Sequence, residues 1–159
     1  MSLVSLYESR LAAEGLTSDL DQLRVLDALQ RLQDEVSQPQ EKSWKQRLLR
    51  QAQPAARGLY IWGGVGRGKT WLMDLFYDQL SGIPKARFHF HRFMQLVHKE
   101  LTAIKGKANP LDIVATGMAR DWRLLCLDEF HVVDIGDAVI LAGLLRSLFE
   151  QGIVLVTTS

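Results

Sequence analysis

The stretch Gly63-Gly64-Val65-Gly66-Arg67-Gly68-Lys69-Thr70 satisfies the spacing G-x-x-x-x-G-K-[ST]. Just before it, the apolar run Leu59-Tyr60-Ile61-Trp62 has strand character, and after it Leu72, Leu75, Phe76 and Leu80 recur on one helical face. A strand that turns through glycines into a helix aims several backbone N–H groups at one point, where a compact anion can sit. Side chains at Gly63, Gly66 or Gly68 would obstruct that approach, and the amides of Gly64, Val65 and Arg67 complete the cradle. Lys69 then supplies a mobile charge for the β- and γ-phosphates of a nucleotide, and the Thr70 hydroxyl is a ligand for Mg²⁺.

A metal held there needs a carboxylate at the end of another strand. Leu124-Leu125-Cys126-Leu127-Asp128-Glu129 meets the requirement: four apolar residues bury a strand, and Asp128 emerges where open α/β sheets place their ligands. Glu129 can polarise an attacking water, so hydrolysis is expected rather than binding alone. Catalysis is thereby assigned to Glu129, Lys69 and Asp128, and the metal to Thr70 and Asp128. The glycine bend and the acidic tip are expected to face each other across neighbouring strands.

Working outward, Arg87-Phe88-His89-Phe90-His91 alternates as a second strand, and Phe93, Val97, Leu101 and Ile104 follow at near-helical spacing. Residues 105–110 read as a loop. Leu124 to Leu127 is a third strand, a helix runs from about Asp137 to Glu150, and Ile153 to Thr157 is a fourth strand. Strands alternating with helices predict a three-layer α/β fold, a parallel P-loop NTPase sheet with helices on both faces. Residues 1–57 read as an N-terminal helical segment and 58–159 as the ATPase core. In the former, Val25, Leu29, Leu32 and Val36 share a face, Ser18 and Asp21 resemble a capping pair, the sequence at Ser37 to Gln40 breaks the pattern, and a short amphipathic piece with Trp44 precedes Pro54.

The 159 residues, 47% hydrophobic and 23% charged, have the balance of a globular domain that buries a core. Nineteen Lys and Arg against 18 Asp and Glu leave a net charge of +1, so nothing global advertises a polyanionic partner. The single cysteine, Cys126, suits a reducing compartment. The longest apolar run, Ala138 to Leu145, falls well short of the roughly 18 residues of a spanning helix, and the first ten residues lack the features of a secretory leader. A cytoplasmic location is expected.

Several residues carry competing readings. His89 and His91, two apart on a strand, share a face and invite a metal, but no third ligand stands at suitable spacing, which favours packing and hydrogen bonding. Asp128-Glu129-Phe130-His131 has the form of a DExH box and raises a nucleic-acid translocase on four letters. Asp134 and Asp137 open the next helix as caps. Gln22 could read the edge of an adenine, or could be a solvated residue in the first turn of an amphipathic helix. Trp44, Trp62, Trp71 and Trp122 are core or interface anchors, since none is interleaved with a basic cluster.

With these residues in place, the chain resembles the ZapE-type ATPases, bacterial cell-division relatives of a mitochondrial AAA+-like group. The resemblance rests on the loop at 63–70, on Arg87-Phe88-His89-Phe90-His91-Arg92-Phe93-Met94, on the stretch from Leu124 to Leu145, on Leu155 to Ser159, and on Tyr7-Glu8-Ser9-Arg10-Leu11 with Asp19 to Gln22. It implies a Mg-dependent ATPase that remodels a protein partner, FtsZ polymers, and forms a nucleotide-dependent homo-oligomer. It also implies further elements after Ser159: a polar sensor, an arginine finger, a fifth strand beside the first, and a lid. The chain then reads as a truncated member, binding nucleotide but turning over very slowly, since an arginine finger contributes about 10³ to 10⁵ in kcat. The edge of residues 58–62 is expected to be sticky. The alternatives are a nucleic-acid remodelling ATPase of the helicase or helicase-loader kind and a nucleotide-gated binding module without turnover.

Overall fold

The computed structural model describes residues 2–37, 58–62 and 68–159. Gly63 to Arg67, Trp44, Pro54 and the interruption at residues 38–40 lie outside the described residues.

Helix α1 (Leu3–Glu14) begins at Ser2, whose hydroxyl accepts from the Ser5 N–H, and ends at Gly15 in the left-handed conformation (φ 67°). Leu3, Tyr7 and Leu11, one turn apart, are its buried stripe. Helix α2 (Leu20–Ser37) buries Leu26, Leu29, Leu32 and Val36. The expected stripe is thus corrected by one position at its start: Leu26 is fully buried, while Val25 lies at the margin of the same cluster. The expected cap also moves. The Asp19 carboxylate, not Ser18, accepts from the Asp21 N–H at 2.8 Å, because the chain reaches helical geometry only at Leu20.

Strand β1 (Gly58–Ile61) leads toward helix α3 (Gly68–Gln79), β2 (Lys85–His89) runs directly into α4 (Phe90–Ala103), α5 (Pro110–Asp121) precedes β3 (Leu124–Asp128), and α6 (Ile135–Glu150) precedes β4 (Val154–Thr158). Sequence reading passed over α5 by ending a loop at Pro110, the residue that instead opens the helix; Val114, Ala115 and Met118 are its buried face. The Lys85 ammonium donates to the Tyr77 and Leu80 carbonyls and so closes the C-terminal end of α3.

All pairings are parallel and the order is β1-β4-β3-β2. β4 therefore separates β1 from β3, and the expectation that the phosphate loop and Asp128 stand on neighbouring strands is corrected. Gly58 begins β1 at φ 125°, and a Cβ there would lie 1.8 Å from the Leu155 carbonyl oxygen, so glycine is what lets β1 approach β4.

Strand alternation divides the core in two. On β3, Leu124 and Cys126 face a cluster with Leu3, Tyr7, Leu26, Leu29, Leu72 and Phe76, whereas Leu125 and Leu127 face Phe93, Val97, Ala115, Leu141 and Leu144. Helices α1 to α3 cover one face and α4 to α6 the other, giving three layers. The α1–α2 segment shares one hydrophobic cluster with α3 and the sheet. No described helix is long and apolar enough to cross a membrane.

Candidate functional site

Parallel strands end together. Ile61 is in register with Thr158, and His89 with Asp128, so the last residues of all four strands form one edge. The N-terminus of α3 meets the same edge: the Thr70 hydroxyl donates to Asp128 Oδ1 at 2.8 Å. The intervening strand contributes too, because the Thr158 hydroxyl donates to the same oxygen at 2.8 Å and accepts the Glu129 N–H at 3.2 Å. Lys69 Nζ donates to Ser159 Oγ at 2.9 Å, and the Ser159 N–H returns to the Ile61 carbonyl. Residues from β1, α3, β3 and β4 are thereby drawn to a single point.

On the far side of Asp128, Arg87 of β2 forms an ion pair with Asp74 at 2.8 Å and reaches Asp128 Oδ2 at 3.6 Å. Burial raises the Asp128 pKa, but the hydroxyls of Thr158 and Thr70, the Arg87 charge and the Glu129 amide together outweigh it and hold the carboxyl below its ordinary value. Asp74 is shifted the other way: burial dominates and raises it, despite Arg87. Burial pushes the Cys126 thiol up to about 12, so it stays protonated beneath the site.

Glu129 has φ 53°, an uncommon conformation for a residue with a side chain. Two hydrogen bonds hold it there, from the Glu129 N–H to Thr158 Oγ1 and from the Phe130 N–H to the Thr158 carbonyl. Its largely exposed carboxylate meets His89 Nε2 at 2.6 Å. His89 Nδ1 accepts the His91 N–H as the N-cap of α4, which leaves the ring proton on Nε2 to point at Glu129. His89 and His91 consequently do not share a strand face. β2 stops at His89, and His91 lies in the helix, where its Nε2 meets Gln95.

The remaining candidates separate. Asp134 caps α6, accepting from the Gly136 and Asp137 N–H groups, and Asp137 pairs with His98 at 2.7 Å. His131 is exposed and lines an outer cleft with His89, Glu129 and Asp137. Trp71 packs on Tyr7 and Trp122 on Phe88, as anchors, while Trp62 is 76% exposed. Gln22 lies beside Gly68 with its Oε1 accepting from the Tyr7 hydroxyl at 2.7 Å.

Sequence reasoning gave no site role to Arg87, Thr158, Ser159 or Tyr7. A polar pair closing an apolar strand, Thr158-Ser159, was the one signal that could have pointed to β4. The donor set at the strand edge, one hydroxyl and one carboxylate kept ionised, is the hard-oxygen chemistry that suits Mg²⁺, and Thr70 and Asp128 are already within one hydrogen bond of each other.

The model of the AFG1-like ATPase family matches residues 1–159. Cell division protein ZapE of Escherichia coli K12 is 60% identical over 103 residues, covering 65% of this chain and 28% of that protein. Lactation elevated protein 1 homolog B of Danio rerio is 45% identical over 114 residues, covering 65% of this chain and 23% of its own. The chain thus spans under a third of the length of these relatives. Among solved structures, AMPPCP-bound DnaA from Aquifex aeolicus superposes with a TM-score of 0.59 at 16% identity, covering 92% of this chain and 40% of that one. A DNA replication initiation factor does so with a TM-score of 0.61, with the same identity and coverage. At that identity the likeness establishes the fold alone, a parallel sheet between two layers of helices. Matched over all 159 residues, the chain belongs to the AFG1-like ATPase family.

Proposed function

We propose that the chain carries the nucleotide site of a Mg-dependent ATP hydrolase. The observation that carries this reading is the 2.8 Å contact between Thr70 at the start of α3 and Asp128 at the end of β3, with Lys69 beside it on Ser159. In this reading the loop amides of Gly63, Gly64, Val65, Gly66, Arg67 and Gly68 cradle the phosphates, and Lys69 exchanges Ser159 for the β- and γ-phosphate oxygens. Thr70 and Asp128 would hold Mg²⁺, which supplies charge neutralisation on the phosphates. Glu129 accepts a proton from, and orients, the attacking water. His89 holds one Glu129 oxygen at 2.6 Å and leaves the other for that water. The left-handed backbone at Glu129 turns the carboxylate out of the strand direction toward open space.

Membership of the AFG1-like ATPase family supports the choice of ATP. The similarity to a cell division protein supports a role in cell division. In this reading hydrolysis is coupled in the cytoplasm to remodelling of a protein partner, FtsZ polymers by resemblance, and the full-length protein assembles into a nucleotide-dependent homo-oligomer. The test is binding of ATP with and without Mg²⁺ to the purified chain and to Lys69→Ala, where about a hundredfold loss of affinity is expected in the variant from the missing charge-assisted contacts. Glu129→Gln should retain ATP uncleaved. Unchanged ATP binding in Lys69→Ala would remove the site from this position, and cleavage by Glu129→Gln at the wild-type rate would remove Glu129 from the reaction.

A further inference from the structure

A cleft of about 950 Å³ opens between the α1–α2 connection and the start of α3. Its walls include Leu11, Leu16, Leu20 and Trp71, together with Gln22 and Gly68. Leu16 and Leu20 are 54% and 75% exposed, so apolar side chains line an open cavity beside the first turn of α3. A flat, apolar ring joined to a phosphate chain fits that combination, with the phosphates over Lys69 and the ring between the leucines and Trp71.

The Gln22 amide in this lining is oriented. The Tyr7 hydroxyl oxygen accepts the Asp19 N–H at 3.2 Å, so its single proton is directed to Gln22, where the oxygen lies 2.7 Å away. The Gln22 atom that receives it must be the carbonyl, which fixes the amide in one of its two orientations. Tyr7 is itself fully buried and packs on Trp71 in a tilted arrangement, with ring centroids 5.6 Å apart, so it cannot turn to follow the amide. Gln22 Nε2 then lies 2.4 Å from where a Cβ on residue 68 would sit, close against the start of α3, and the last glycine before Lys69 is the residue type that leaves room for it.

We infer that Gln22 selects the base of the nucleotide and that Tyr7 sets the selection, by holding the amide with its NH₂ as donor and one carbonyl lone pair still open as acceptor. Adenine presents a ring-nitrogen acceptor next to its exocyclic amino donor, which matches this order. Guanine presents an oxygen where adenine has the amino group, so the fixed carbonyl meets another acceptor. A flipped amide would suit the guanine Watson–Crick edge, and the Tyr7 hydroxyl is what prevents the flip. This assignment rests on Lys69 and Thr70 holding the phosphates.

Affinities for ATP, GTP and inorganic triphosphate, all with Mg²⁺, are to be measured on the chain and on Tyr7→Phe and Gln22→Ala. The wild-type chain should prefer ATP to GTP by about tenfold or more, the size expected for a matched amide pair. Tyr7→Phe keeps the buried ring and frees the amide, so the ratio should fall severalfold, chiefly by a gain for GTP. Gln22→Ala should lose ATP affinity about tenfold. Triphosphate binding should be the same in all three chains. A preference that ignores both substitutions, or a loss shared equally by triphosphate, overturns the base assignment. If triphosphate binds all three chains while the wild-type chain takes ATP and GTP equally, the phosphate reading stands and the base assignment falls. Absence of binding by all three ligands overturns both.

Discussion

Asp128 concentrates the chemistry of the site in one carboxylate. Its Oδ1 accepts from two hydroxyls, one from α3 and one from β4, and Arg87 faces its Oδ2. These contacts favour the ionised form, so the folded pKa lies below the ordinary 3.8. A lowered carboxyl contributes stability that is present above the unfolded value and is lost as the pH falls through the folded one. Asp128→Asn should therefore flatten the fall in melting temperature expected on acidification below about pH 4, measured by acid titration of the thermal transition. The same variant should weaken Mg-dependent ATP binding by about tenfold or more, since a charged oxygen is replaced by a neutral amide. An acid limb identical to the wild type would show that Asp128 ionisation is not coupled to folding. Asp74, raised by burial, works in the opposite sense, favouring the fold below 3.8 and losing that contribution as the pH rises through its higher folded value.

The pattern of elements was largely legible. Four strands, the helix after the phosphate loop, and the helices following β2 and β3 lie where periodicity places them, because each carries its apolar residues at the spacing of its own geometry. Helix α5 was missed because Pro110 was counted with the loop at 105–110, whereas a proline in the first turn of a helix opens it, and Val114, Ala115 and Met118 then recur on its buried face. Helices α1 and α2 were read as an N-terminal helical segment, and their packing could not be read at all. Tyr7, Leu26 and Leu29 enter the same cluster as Leu72, Met73 and Phe76 of α3. A chain starting at residue 58 would expose those three α3 side chains to water, at about 1.5–3 kcal/mol for each large side chain left unburied. Residues 58–159 expressed alone should bind a hydrophobic dye strongly and lack a cooperative melt. A sharp thermal transition in that fragment would show that 58–159 is an autonomous domain.

At the scale of the molecule, the edge that carries the site also exposes large apolar side chains. Tyr60 and Trp62 at the end of β1 are 50% and 76% exposed, and Tyr60 leads through Phe130 to Phe90 by ring contacts of 6.2 and 4.8 Å. Val133, Ile135 and Val139 at the start of α6 are 82%, 84% and 68% exposed. β1 also has a strand partner on one side only among the described residues. An unpaired strand edge flanked by large apolar side chains associates with other chains. Sedimentation of the chain should show concentration-dependent association, and Trp62→Lys should shift it toward monomer by about tenfold in concentration, since one large apolar side chain is worth over 1 kcal/mol of burial. A monomer at every concentration would count against this.

The local sequence determined the strand-turn-helix unit at 58–79, the buried strand that ends in Asp128, and the alternation that makes the sheet parallel. Each of these is written in residue types within a few positions of one another, where propensity and periodicity act. Strand order was decided only in three dimensions. β4, last of the four in the chain, fits between β1 and β3 because pairing of distant segments depends on how both faces of the whole sheet are covered, and no short window of sequence encodes that. That placement brings Thr158 and Ser159 onto Asp128 and Lys69, and the packing of α1 against α2 and α3 brings Tyr7 onto Gln22.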